Sequence, residues 1–116
     1  MDELATITVL SALAQETRLE TFRLLVKREP EGIPAGEIAR LIGIPQNSMS
    51  AHLAVLARAG LVTGERRSRS IIYRADINQL RAVLTFLLKD CCGGALNLCT
   101  PLIDELTTCC SPGAKP

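Results

Sequence analysis

Two helix-patterned stretches joined by Gly43-Ile44-Pro45 are followed, after Gly60, by a change from helical to extended periodicity. A helical pattern does not sit as a strand, nor the reverse, so this switch constrains the fold more than any other feature. Residues 35–41 read as a short helix, and a longer one runs from about residue 46 to 59 before Gly60. Two helices across a short glycine-containing turn make a helix-turn-helix pattern. In the second helix Met49, Leu53 and Leu56 recur at i, i+4 and i+7 and face inward, whereas Gln46, Asn47 and Ser50 fall on another face near its start. Leu61-Val62-Thr63 and Ser70-Ile71-Ile72-Tyr73-Arg74 are then β-branched, extended runs on either side of a basic tip at residues 66–69, as in a β-hairpin. The expected fold is mainly α with a small β-hairpin, a winged helix-turn-helix.

The flanking segments read as supports. Leu4, Ile7, Leu10 and Leu13 give an opening helix with one apolar stripe, and Leu19, Phe22 and Val26 give a second, closed by Pro30 and Gly32. Asp76 and Gln79 stand in capping-box relation before a helix striped by Leu80, Val83, Leu84, Leu87 and Leu88. Gly93-Gly94 stops that helix, Pro101 opens a brief terminal one through Leu106, and residues 111–116 read as a loose tail. The domains expected are 1–92, for DNA binding and dimerisation, and 93–116, a cysteine-containing segment. At 116 residues the chain suits one core, and pairing with a copy of itself would add useful burial, so a homodimer is expected.

The formal net charge is only +1, so no global field announces a nucleic-acid partner. Local clustering does. Arg58, Arg66, Arg67, Arg69 and Arg74 share one stretch with a single acid, Glu65. A helix start bearing Gln46, Asn47, Ser48 and Ser50 suits the major groove of double-stranded DNA, and the wing arginines Arg66, Arg67 and Arg69 suit phosphates or a neighbouring minor groove. His52, the one histidine, lacks partners for metal ligation on that helix. It either donates to a phosphate or fixes the helix locally. Tyr73 reads as ordinary packing. The start Met-Asp-Glu shows no secretory pattern and no apolar run reaches ~18 residues, so the expectation is a cytoplasmic protein without membrane contact.

Four of the five cysteines come in adjacent couples, Cys91-Cys92 and Cys109-Cys110, and Cys99 follows the first couple beyond the glycines. Neighbouring Cα atoms lie about 3.8 Å apart, below the usual disulfide range of roughly 4.4–6.8 Å, so an adjacent couple is not a structural disulfide. Cys91 alone would read as a small core residue on an apolar stripe. With Cys92 beside it and Cys99 across the glycine hinge, the three read as a site for a soft ion. No C-x-x-C motif, no nucleophile beside a histidine and no phosphate-binding glycine loop is present, so the chain does not read as an enzyme.

Ser48-Met49-Ser50-Ala51-His52-Leu53-Ala54-Val55-Leu56 with Ala59-Gly60-Leu61-Val62, and Leu13-Ala14-Gln15-Glu16-Thr17-Arg18-Leu19 before them, resemble the recognition helix, wing entry and early motif of the ArsR/SmtB metal-responsive repressors. The likeness covers roughly residues 4–90. It implies a homodimeric winged-helix repressor whose first and last helices form the dimer interface. The family's common cysteine site is missing, because residues 33–39 hold no thiol, and its zinc site finds only Asp76 beside Asn78. Cys91, Cys92 and Cys99 instead resemble the C-terminal three-thiol site of arsenite-sensing members. That implies As(III), or Sb(III) by the same chemistry, as inducer and no organic cofactor, since trivalent arsenic takes three thiolates where zinc wants a fourth donor. Cys109 and Cys110 read as auxiliary ligands, a capture site or spare tail residues. The rival readings are a thiol redox sensor, a Cd or Pb sensor, and a metalloid-sequestering protein.

Overall fold

The computed structural model describes residues 1–88; Cys91, Cys92, Cys99, Cys109, Cys110 and the expected short helix after Pro101 lie outside the described residues. The elements in order are α1 (Glu3–Leu13), α2 (Glu16–Lys27), β1 (Ile33–Pro34), α3 (Ala35–Ile42), α4 (Gln46–Arg58), β2 (Val62–Arg67), β3 (Ser70–Ala75) and α5 (Ile77–Leu88). This is the winged helix-turn-helix fold, with α3 and α4 as the motif and β2–β3 as the wing. Packing divides the chain into Met1–Val83 and Leu84–Pro116, and of the second unit only the last residues of α5 are described.

Recognition-helix candidate α4 is held as its spacing predicts: Met49, Leu53 and Leu56 are at most 1% exposed and sit among Phe22, Leu25, Ile38 and Leu61. Two glycines set its ends. Gly43 takes φ +88°, and its amide donates to Ala39 O at 2.8 Å, which closes α3 and turns the chain toward α4. Gly60 takes φ +80° while Leu61 N donates to Leu56 O at 2.9 Å, closing α4 and aiming the chain into the wing. A Cβ on Gly60 would lie 2.8 Å from Gln79 Nε2, the group that donates to Ala59 O at 2.8 Å. Gly60→Ala is therefore expected to destabilise the fold by about 2 kcal/mol, combining left-handed strain with the loss of that contact. Urea denaturation reads this as a fall in midpoint at unchanged slope; an unchanged midpoint would contradict it.

In the flanking helices the structure decides which face turns inward. In α1 the apolar stripe lies outside, Leu4, Ile7 and Leu10 being 74%, 52% and 41% exposed, whereas Thr6, Val9 and Ala12 are buried. Both sets recur every three residues, and spacing alone does not say which one meets the subunit's own core. In α2, Phe22 is buried as expected, but Leu19 and Val26 are exposed and the inward places go to Thr21 and Leu25. Thr21 is fully buried, and its hydroxyl donates to the Met49 Sδ atom at 3.8 Å. The expected stripe of α5 keeps only Val83 fully buried, with Leu84 and Leu87 exposed.

The sheet has order β1-β3-β2, antiparallel throughout, with Ile33 opposite Tyr73 and Val62 opposite Ala75. Strand β1 was not anticipated, because two residues carry no period, and its Pro34 is tolerated on a sheet edge. The first wing strand runs further into the basic tip than its β-branched residues suggest. Arg66 and Arg67 belong to β2, and the tip narrows to Ser68-Arg69, with Ser68 at φ 58°. The capping box at Asp76 closes on one side only: its carboxylate accepts from Gln79 N at 3.3 Å, but its own amide donates to Leu61 O at 2.8 Å. Gln79 turns away to α4, as described above. Among the described residues no helix is long and apolar enough to cross a membrane.

Candidate nucleic-acid interface

A groove of about 530 Å³ runs between the start of α4 and the wing, and Gln46, Ser50, Arg69, Ile71, Tyr73 and Glu37 line it. The start of α4 and the hairpin form two of its sides, and β1 with the start of α3, residues Pro34 to Glu37, lines it between them. The start of α4 is polar for a physical reason. Its buried stripe begins only at Met49, which leaves Gln46, Asn47, Ser48 and Ser50 exposed. Asn47, Ala51, Ala54 and Arg58 follow at helical spacing on the face opposite that stripe, and all four are exposed.

The electrostatics of this end suit an anion. Pro45 caps α4 without a side-chain hydrogen bond, the first turn holds no acid, and Asn47 Oδ1 accepts from Ser48 N at 2.9 Å. The partial positive charge of the helix start thus faces solvent, the arrangement that favours phosphate. Glu37 is the acid on the groove wall. Its hydrogen bond with the Arg40 guanidinium, Nε to Oε1 at 3.1 Å, holds the carboxyl below its ordinary range and offsets its negative charge.

The five arginines of the basic stretch separate in space. Arg69 lines the groove, and Arg66 stands opposite the groove residue Ile71 in the ladder, on the same sheet face; neither makes an ion pair among the described residues. Arg67 is on the other face and meets Glu65 at 3.2 Å, with both side chains about two-thirds exposed, a pair that water weakens. Arg74 is committed elsewhere, to Glu29 at 2.7 Å, and that carboxylate raises the already high pKa of the guanidinium. Arg58 lies at a separate cleft between α1 and α4 with Ile7, Ser11 and Arg18.

His52 is half-buried on the flank of α4 away from Gln46 and Ser50, with Nδ1 3.5 Å from Arg18 Nη1. So the groove gathers Gln46, Ser50 and Arg69, with Arg66 beside it; Asn47 and Ser48 extend the exposed helix start, and Arg67 and His52 stand apart. Sequence reasoning passed over Arg18, Glu37 and the place of Tyr73 on the groove wall. Arg18 alone had left a trace, being part of the motif at residues 13–19. Among the described residues no three His, Cys, Asp or Glu side chains are grouped to hold a metal ion.

Comparison with known proteins agrees with this architecture. A family model described as a helix-turn-helix domain matches residues 13–65. The transcriptional activator HlyU of Vibrio cholerae is 28% identical over 86 residues, which cover 74% of this chain and 77% of that protein. The crystal structure of the transcriptional regulator HlyU from Vibrio vulnificus is 30% identical with a TM-score of 0.57, covering 70% of this chain and 81% of that one. A solution structure from Mycobacterium bovis is described as a homodimeric winged helix-turn-helix DNA-binding domain of a possible ArsR-family transcriptional regulator. It is 27% identical, with a TM-score of 0.61, and covers 72% of this chain and 76% of that one. The recognition-helix and early motifs, the winged fold built around them and these relatives agree: the chain belongs to the ArsR/SmtB family of winged helix-turn-helix transcriptional regulators.

Proposed function

We propose that this protein is a homodimeric, cytoplasmic repressor that binds double-stranded operator DNA and releases it when As(III) or Sb(III) occupies Cys91, Cys92 and Cys99. The observation that carries the DNA half is the groove shared by Gln46, Ser50 and Arg69, beside an uncapped, acid-free helix start. In this reading α4 enters the major groove with Asn47, Ser48 and Ser50 at base edges, and Arg66, Arg67 and Arg69 on the wing meet phosphates. Arg67 exchanges its exposed partner Glu65 for DNA at little cost. The dimer half is supported by the apolar stripe Leu4, Ile7 and Leu10, which the subunit leaves in solvent, and by the homodimeric relative.

The inducer half rests on thiol chemistry. Three thiolates supply the soft donors that trivalent arsenic prefers, and Cys91 follows Leu88, the last described residue of α5, by three positions. Binding there acts on the end of α5, and a changed dimer angle would move two recognition helices that must match half-sites about one DNA turn apart. Couplings between sites are typically ~1–3 kcal/mol, so two sites per dimer suffice for a strong response. Cys109 and Cys110 are auxiliary in this scheme.

The test uses the reduced full chain on a labelled duplex selected from a random library, followed by anisotropy. Arsenite is expected to weaken binding by at least about tenfold. Serine at Cys91, Cys92 or Cys99 should abolish that response, and serine at Cys109 or Cys110 should leave it. Arg69→Ala should lower affinity and reduce the salt slope by about 1. Binding indifferent to arsenite but sensitive to mild oxidant would replace the inducer with thiol oxidation.

A further inference from the structure

Arg18 spans three elements. Its backbone amide donates to Gln15 Oε1 at 2.8 Å at the start of α2, its Nε donates to Ala12 O at 2.6 Å in the last turn of α1, and its Nη1 lies 3.5 Å from His52 Nδ1 on α4. Arg18 and His52 are both half-buried, and Ala12 is buried, so these bonds are partly shielded from water. A guanidinium only donates, so a bond here requires His52 Nδ1 as acceptor, the role that the Nε2–H tautomer offers.

We propose that Arg18 is a positioning residue for DNA binding, tying the C-terminal turn of α1 to the flank of α4 by holding His52 in the Nε2–H tautomer. The inference rests on the DNA-binding reading above. Helix α1 carries the solvent-facing stripe assigned to the dimer, and α4 carries the groove, so Arg18 stands in the physical connection between them. A dimer reading two half-sites needs that connection fixed, whereas one subunit on one half-site does not. His52 then serves as the anchor of α4.

The chain has one histidine, so its imidazole nitrogen resonances are unambiguous. In the full-length wild type, nitrogen-15 spectra should show Nδ1 unprotonated and Nε2 protonated, and Arg18→Met should give a tautomer mixture. For operator affinity, Arg18→Met and His52→Ala should each lose roughly tenfold and the double variant no more than Arg18→Met, because both remove the Arg18–His52 contact, while Arg18→Met also gives up the bond to Ala12 O. Affinity for a duplex with a single half-site should stay within about twofold, a split that a merely structural residue would not produce. Protonation at Nδ1 in the wild type, multiplying losses, or equal weakening on one and two half-sites would each overturn the inference. If Arg18→Met fails to fold, the wild-type tautomer and His52→Ala decide. A wild type that binds no duplex overturns the DNA reading and this inference with it; one that binds yet ignores both substitutions overturns the inference alone.

Discussion

Replacing Ile7 by glutamate is expected to leave a folded monomer that binds operator DNA about 10²-fold or more weakly than the wild type. Ile7 is 52% exposed and lies between Leu4 and Leu10 on α1, so the charge meets water in the subunit and costs little there. In the proposed dimer the same charge would lose its hydration against an apolar partner, which is far more costly than the ~1.5–3 kcal/mol forfeited by removing the side chain. Dissociation turns two linked contacts with DNA into one, and linkage of that kind is worth 10²–10⁴ in affinity. Sedimentation velocity reads the oligomer and anisotropy the affinity. A variant that remains dimeric at micromolar concentration would show that α1 is not the interface.

Leu53→Ala is expected to cost about 2–5 kcal/mol, a large share of the ~5–15 kcal/mol that holds a domain of this size together. The side chain is 1% exposed and its neighbours on α4, Met49 and Leu56, are fully buried, so the cavity has no route to collapse except by moving the helix. The matched control is Leu19→Ala on α2. Leu19 is 44% exposed, and its loss should cost less than about 1 kcal/mol although its sequence spacing with Phe22 looks equally core-like. Both are read by urea denaturation at one protein concentration, since dimerisation makes apparent stability concentration-dependent. Equal costs at the two positions would contradict the burial described here.

Legibility in the sequence followed the kind of signal each element carried. Helix α4 was readable because a run of thirteen residues repeats its period and glycines mark the turns on both sides. The wing was readable from two β-branched runs flanking a basic tip, but its ends were not, since Arg66 and Arg67 look like loop residues until the ladder pairs them with Ile71 and Ser70. Strand β1 exists only because β3 offers an edge to Ile33 and Pro34. The candidate site was half legible. Gln46, Asn47, Ser48 and Ser50 follow from the polar start of α4, whereas the sorting of five arginines into groove, far face and internal ion pair depends on sheet faces and on Glu29, which is 45 residues from Arg74.

What the sequence determined by itself was the order of helices and wing, the inward stripe of α4 and the polar end that stands free. Those depend on periodicity and on backbone preferences at glycine and proline, which act over a few residues. Which apolar stripe of α1 meets the core, where Gln79 spends its amide, and why Arg18 reaches both Ala12 and His52 were decided by the tertiary structure alone. A face becomes inside or outside, and a long polar side chain finds its partner, only when segments distant along the chain have come to lie side by side.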